Sequence, residues 1–235
     1  MELFLTLTYL TLLANTDPSP LSLECNKVIE DFSTSELQQL PKDWKTRHEK
    51  HLPIVQKEYL YRVEQDGERK VLHAIFGKET ITLVKTITDW DLQSHPIFQW
   101  QWKAVKLPKG GDERKLSKND SAASVYVAWK SSLLFQISTM RYAWSSTLPL
   151  GEHVERRLSH DHIIIVESGD KNAQTWQTVQ VNLQKHYRDY ISKNRANPVG
   201  IALTSDADAT TSQAEAFYAD FRACKLAPVI PSVDK

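Results

Sequence analysis

From Tyr59 onward, apolar and polar side chains alternate in short runs. Tyr59–Val63, Val71–Phe76, Ile81–Ile87 and Ile97–Val105 each repeat with period two, the signature of strands with one buried face. Asp66-Gly67 between the first two marks a hairpin turn. Within Ile97–Val105, Phe98, Trp100, Trp102 and Ala104 share one face, and Gln99, Gln101 and Lys103 share the other. Pro108–Asn119 interrupts the pattern with a polar, Lys-bearing, Gly-Gly-containing stretch, read as a mobile loop with a solvated basic run. Strands resume at Ala123–Trp129, Phe135–Trp144, Ile163–Glu167, Trp176–Leu183, Val199–Thr204 and Ala216–Ala223. Helical spacing is clear over Leu183–Asn194, where Leu183, Tyr187, Tyr190 and Ile191 fall together. Near the start, Val28–Phe32 is a short apolar segment. Ser33-Thr34-Ser35-Glu36 then matches a capping box, which predicts a brief helix to Leu40, stopped by Pro41.

About ten short strands without βαβ alternation predict an all-β fold, an antiparallel jelly-roll β-sandwich with one or two short helices. A single domain is expected over residues 25–225, followed by a tail, 226–235, that Pro228 and Pro231 break. Residues 1–20 read differently. Nine of the twelve residues from Leu3 to Ala14 are apolar, and Asn15–Pro20 follows as a polar, Pro-containing start. This suits a cleaved signal peptide and is too short to cross a bilayer, so a periplasmic or secreted location is expected with no transmembrane segment. Glu2 stands where such signals carry Lys or Arg, and a buried strand is the alternative.

Charge changes the picture by exclusion. Lys+Arg and Asp+Glu both number 29 in 235 residues, so no basic field exists to hold a nucleic acid. A monomer is expected. Hydrophobic residues make up 41%, enough for a real core. The two cysteines, Cys25 and Cys224, lack His or Cys neighbours at zinc-ligand spacing. Export would make a disulfide between them reasonable, and two unrelated buried thiols are the alternative.

Chemistry-bearing patterns are few. Asp206, Asp208 and Thr210 alternate after a strand and could offer oxygens to Ca²⁺, although the EF-hand glycine and terminal glutamate are missing. Turn-forming bonds to backbone amides are the competing role. His160 and His162 fall on one side of a strand, and His48 and His51 are three apart, both better read as surface histidines. No nucleophile elbow, P-loop or Cys-His pair occurs. Trp100 with Trp102, and Tyr142 with Trp144, lie at alternate strand positions, where they form either a sugar-stacking platform or sandwich core. Asp120, Tyr126, Gln136, Arg141 and Gln180 are candidate polar contacts for the same ligand.

Several short motifs in order resemble the DUF3047 family, bacterial domains of unknown function commonly found behind an export signal. They are Ser124–Trp129, Met140–Ser145, Val166–Gly169, Trp176, Tyr187–Tyr190, Gly200–Thr210 and Tyr218–Phe221. Ile191-Ser192 and Ala209 depart from the family pattern. The closing segment and Ile29–Phe32 are also similar to the last and first strands of galactose-binding-like sandwiches, many of them carbohydrate-binding modules. That resemblance implies that first and last strands pair antiparallel with residue numbers summing near 249, which sets Cys25 opposite Cys224 and Ile29 opposite Asp220. It also implies a structural Ca²⁺ near Asp31, Glu30 and Asp220. The expected function is a non-catalytic, exported domain that binds a carbohydrate or envelope glycan on one sheet face, with Trp100, Trp102, Tyr142, Trp144 and Arg141 as contacts. A polysaccharide lyase or hydrolase, or a partner-binding envelope protein, are the alternatives.

Overall fold

The computed structural model describes residues 23–130, 136–156 and 160–226. The expected signal peptide and all but the first residue of the expected tail lie outside them. Among the described residues, thirteen strands form two sheets. One sheet has the order β11-β6-β13-β4-β3, with β1 beside β13 on the edge that β4 also uses. Its strands are β1 (Leu23–Glu30), β3 (Tyr61–Asp66), β4 (Arg69–Ile75), β6 (Ile97–Lys106), β11 (Gln177–Asn182) and β13 (Glu215–Leu226). The other sheet has the order β2-β5-β12-β7-β8-β10-β9. It contains β2 (Trp44–Thr46), β5 (Leu83–Thr86), β7 (Ala123–Lys130), β8 (Ile137–Ser145), β9 (His153–Arg156), β10 (Asp161–Ser168) and β12 (Gly200–Thr204). Every pairing is antiparallel except β10 with β8, which run parallel.

The predicted strands fall where alternation places them, and Gly67 closes the β3–β4 hairpin at φ 61°. Two short strands, β2 and β9, escape the pattern because three or four residues are too few to show a period. The helix at Leu183 is real but short. α2 (Leu183–His186) is capped by Asn182, whose side chain accepts from Lys185 N, and a π turn, Tyr187–Ile191, continues it. A second helix, α1 (Leu52–Glu58), starts with proline in its first turn.

The capping-box expectation fails. Residues 33–40 form turns, with Phe32 and Gln38 at positive φ, so no helix can run through them. Tertiary partners take the backbone groups instead. Gln38 N donates to Val63 O, Val63 N donates to Gln39 O, and Lys70 Nζ donates to the carbonyls of Ser33 and Ser35. In the loop at 108–119 the basic residues Lys109, Arg114, Lys115 and Lys118 are exposed as expected, whereas Asp112 and Glu113 are buried within it.

β1 and β13 pair antiparallel, and Cys25 and Cys224 form a disulfide. Leu23↔Leu226 and Glu24↔Lys225 keep the 249 sum, but two irregularities then shift the register to Glu30↔Phe221. Ile29 therefore does not face Asp220, which stands at φ 54° within a bulge of β13.

The sheets pack through the aromatic rows. Trp100 of β6 meets Tyr142 of β8 with ring centroids 5.4 Å apart, and Trp102 meets Trp144 at 5.8 Å. All four are fully buried. They face one another across the sandwich, not solvent, so the stacking-platform assignment of Trp100, Trp102, Tyr142 and Trp144 is corrected to core. The physical reason is parity: the opposite face of β6 carries Gln99, Gln101 and Lys103, and only the aromatic face can be removed from water.

Two measurements check this description. Trp102→Ala is expected to lower unfolding free energy by ~3–5 kcal/mol in urea, where a surface platform residue would leave it unchanged. Reducing the disulfide, whose cysteines lie 199 residues apart, is expected to cost on the order of 4 kcal/mol, read as a drop in denaturation midpoint with reductant.

Candidate functional site

With the inner faces consumed by the core, the outer faces of the two sheets are left to meet a ligand, and that of the seven-stranded sheet is concave. A groove of about 730 Å³ runs along it. Val84, Tyr126, Thr139, Arg141, Ala202 and Thr204, the outward members of β5, β7, β8 and β12, line its floor. Tyr126 and Arg141 are direct cross-strand partners, and the guanidinium lies 5.5 Å from the Tyr126 ring centroid. Gly200 lets this floor lie close, because a Cβ there would meet Lys85 O at 2.8 Å.

Arg141 is 3% exposed, and its partners are neutral. Nε donates to Ser124 Oγ at 3.0 Å, and Nη2 donates to Ser121 Oγ at 2.7 Å and Asn119 O at 3.4 Å. Ser121 Oγ in turn donates to the buried Glu113 carboxylate at 2.6 Å, and Ser145 Oγ donates to its other oxygen at 2.6 Å. The counter-charge of Arg141 is thus held one hydroxyl away. Burial opposes its charge, and Tyr126, Asp161 and Glu113 nearby more than restore it, so its pKa is raised. Burial also lifts the Tyr126 phenol above its usual range, with Arg141 pulling against it.

Three carboxylates, Asp120, Asp206 and Asp208, gather at one end of the groove with ligand oxygens within 4.8 Å of one another, close enough to hold a metal ion. Asp120 is fixed by the 209–210 backbone, accepting from Ala209 N at 3.1 Å and Thr210 N at 2.6 Å. Asp206 accepts from the Thr80 hydroxyl and from Asp208 N. Burial pushes the Asp206 carboxyl up to about 6, the Thr80 bond and Arg141 oppose it, and Asp208 and Asp120 add to it. The chemistry is all hard oxygen, which suits Ca²⁺ or Mg²⁺ over a thiolate- or imidazole-seeking ion.

The structure sorts the remaining predicted residues. Asp206 and Asp208 come together, and Asp120, named from sequence only as a polar contact, completes the set. Asp31, Glu30 and Asp220 do not form a carboxylate cluster. Asp31 accepts from Ser33, Glu30 from Trp44 Nε1 and Lys85, and Asp220 from Arg69 at 2.6 Å. His160 sits in a turn at φ 52°, and His162 instead meets His153, with Nδ1 and Nε2 3.2 Å apart. His51 is buried beside His48. Glu113 was missed. Its neighbours in sequence, Asp112, Arg114 and Lys115, make it look like one more surface charge.

A family model described as "Protein of unknown function (DUF3047)" matches residues 42–222. The chain belongs to the DUF3047 family. In this DUF3047 member the match takes in every residue of the groove and of the carboxylate cluster. No curated protein matches the sequence. Among solved structures, the chain is similar to a family 11 carbohydrate-binding module from Clostridium thermocellum in complex with a mixed-linked tetrasaccharide. Identity is 9%, 84% of this chain and 94% of that chain are covered, and the TM-score is 0.45. It is also similar to the family 11 module of the cellulase Lic26A-Cel5E from the same organism (9% identity, 86% and 94% covered, TM-score 0.46). A third is SGBP-B from a xyloglucan utilization locus of Bacteroides uniformis (9% identity, 68% and 41% covered, TM-score 0.35). None of these likenesses is close enough to assign a ligand.

The raised Asp206 pKa carries a signed prediction. The folded state holds this proton up to about 6, against an ordinary value of 3.8, so the group's contribution to stability is present at low pH and lost as pH rises through that window. Asp206→Asn, which keeps an acceptor for Thr80, is expected to be more stable than the parent at neutral pH by up to ~3 kcal/mol in EDTA. The difference should shrink toward zero in acid, read by urea denaturation at both pH values.

Proposed function

We propose that this domain is a non-catalytic, exported binding module whose ligand is a carbohydrate held in the groove on the outer face of the seven-stranded sheet. The carrying observation is the groove itself: about 730 Å³, floored by the Tyr126 ring, Arg141, Thr139 and Thr204, and edged by Thr80 and carboxylates. A sugar offers an apolar C–H face and a rim of hydroxyls, so it asks for one ring surface and many donors and acceptors. The groove supplies both. At the acidic end Asp120, Asp206 and Asp208 hold calcium, which offsets their mutual repulsion and presents a cation to ligand hydroxyls. An exported location agrees with the Cys25–Cys224 disulfide, since such bonds persist in oxidising compartments. Among the described residues no helix is long and apolar enough to cross a membrane.

One observation favours a second reading. A carboxyl pushed up to about 6 beside other carboxylates is suited to general acid work on a glycosidic bond, and Asp206 has that character. A turnover screen on polysaccharides separates the two.

The test is a glycan array on the full chain, in calcium and again in EDTA. One glycan class is expected to bind, at least ten-fold more weakly in EDTA. Thr139→Trp, which fills the groove, is expected to abolish binding, and Trp176→Ala on the outer face of the other sheet to leave it unchanged. Binding that survives Thr139→Trp in a folded protein would place the ligand elsewhere.

A further inference from the structure

Arg141 is chemically the least ordinary residue of the groove. Among the described residues, no carboxylate oxygen lies within 4.0 Å of its guanidinium, although the side chain is almost wholly buried. A charge removed from water without a direct counter-ion is costly, and proteins avoid it where only packing is at stake. Here the arrangement is built. Glu113 is fully buried, and it receives Ser121 and Ser145 hydroxyls instead of the arginine itself. Ser124 Oγ accepts from Nε and Ser121 Oγ from Nη2, Ser121 alone passing the contact on to Glu113, and none of the guanidinium is spent on a bidentate carboxylate pair. Nη1 makes no hydrogen bond among the described residues, on a residue that lines the groove. A planar, pre-positioned guanidinium with an open edge is the group best matched to an oxyanion. The neighbouring carboxylates do not fill that place. Asp161 accepts from Thr139 at 2.6 Å, and Asp206 from Thr80.

We infer that the groove selects an acidic saccharide, and that Arg141 receives the carboxylate of a uronate residue through its open Nη1 edge. This rests on the carbohydrate reading above and narrows it to one substrate class. Tyr126, beside Arg141 on the floor, then stacks the same sugar ring or its neighbour. A cation at the three aspartates completes the charge pattern, because it removes the negative end that would otherwise repel an anionic chain.

The experiment is calorimetric titration of the full chain, in calcium, with four hexasaccharides: α-1,4-oligogalacturonate, its methyl ester, the neutral α-1,4-linked galactose chain and a sulfated form of that neutral chain. The uronate is expected to bind at least ten-fold tighter than its methyl ester and the neutral chain, with affinity falling steeply as salt rises. These comparisons use the parent protein, so they stand even if substitutions disturb the core. In Arg141→Gln, checked for folding by thermal melting, the preference for uronate over ester is expected to vanish. Equal binding of uronate, ester and neutral chains would overturn the inference and leave the carbohydrate reading intact. Equal binding of the sulfated and uronate chains would overturn the carboxylate assignment in favour of a general anion site. No binding of any saccharide here, together with a blank array, would overturn both.

Discussion

The contact on which this molecule depends is the aromatic seam between its sheets. Trp100 against Tyr142, and Trp102 against Trp144, join β6 to β8 through large rings that leave water entirely. Each such ring removes more apolar area than any aliphatic residue here, and tilted or edge-on contacts suit their quadrupoles. The seam has a cost: the indole N–H groups of both Trp100 and Trp102 are buried without a hydrogen-bond acceptor among the described residues. Their edge-to-face contact, at 87° and 5.4 Å, is the arrangement in which the positive rim of one ring meets the face of the other. Tyr218 adds a polar tie between the sheets, donating to Thr204 O and accepting from Ser124 N.

Once the seam is set, strand parity determines everything on the outer faces. Placing Tyr142 and Met140 inward turns Arg141 outward, and placing Val125 and Val127 inward turns Tyr126 outward beside it. The groove is therefore a by-product of the core pattern, later furnished by loops. The 108–121 segment brings Glu113, Asn119, Asp120 and Ser121 to one end of it, and the 206–210 turn brings two more aspartates. The stretch that looks most like a solvated strap in sequence thus carries the residues that organise the site.

Electrostatics couples the two ends of the groove. Asp206 feels Arg141 at one side and Asp208 and Asp120 at the other, and burial amplifies each influence. A cation at the acidic end and an anion at Arg141 would support each other, since each relieves a charge that the bare groove holds at a cost. On this reading calcium and ligand bind cooperatively without any change of fold.

The sequence by itself determined the class of fold and most strand positions, because period two is a local property that any half-buried strand must show. It also carried the family, through short motifs such as Met140–Ser145 and Gly200–Thr210 kept in order. What it left open was which face of each strand is inside. Trp100 and Trp102 sit on one face in either case, and only the opposite sheet, arriving from residues 125–164, decides that this face is the core. The helix at Ser33 was lost for a related reason: its donors and acceptors went to Val63 and Lys70, partners some 30 residues away. The site is non-local in the same sense. Asp120 is 86 residues from Asp206, and Glu113 is linked to Arg141 only through Ser121. Spacing along a chain encodes what lies on one strand, whereas a binding site in a sandwich is assembled across strands and loops, and that register exists only in the folded molecule.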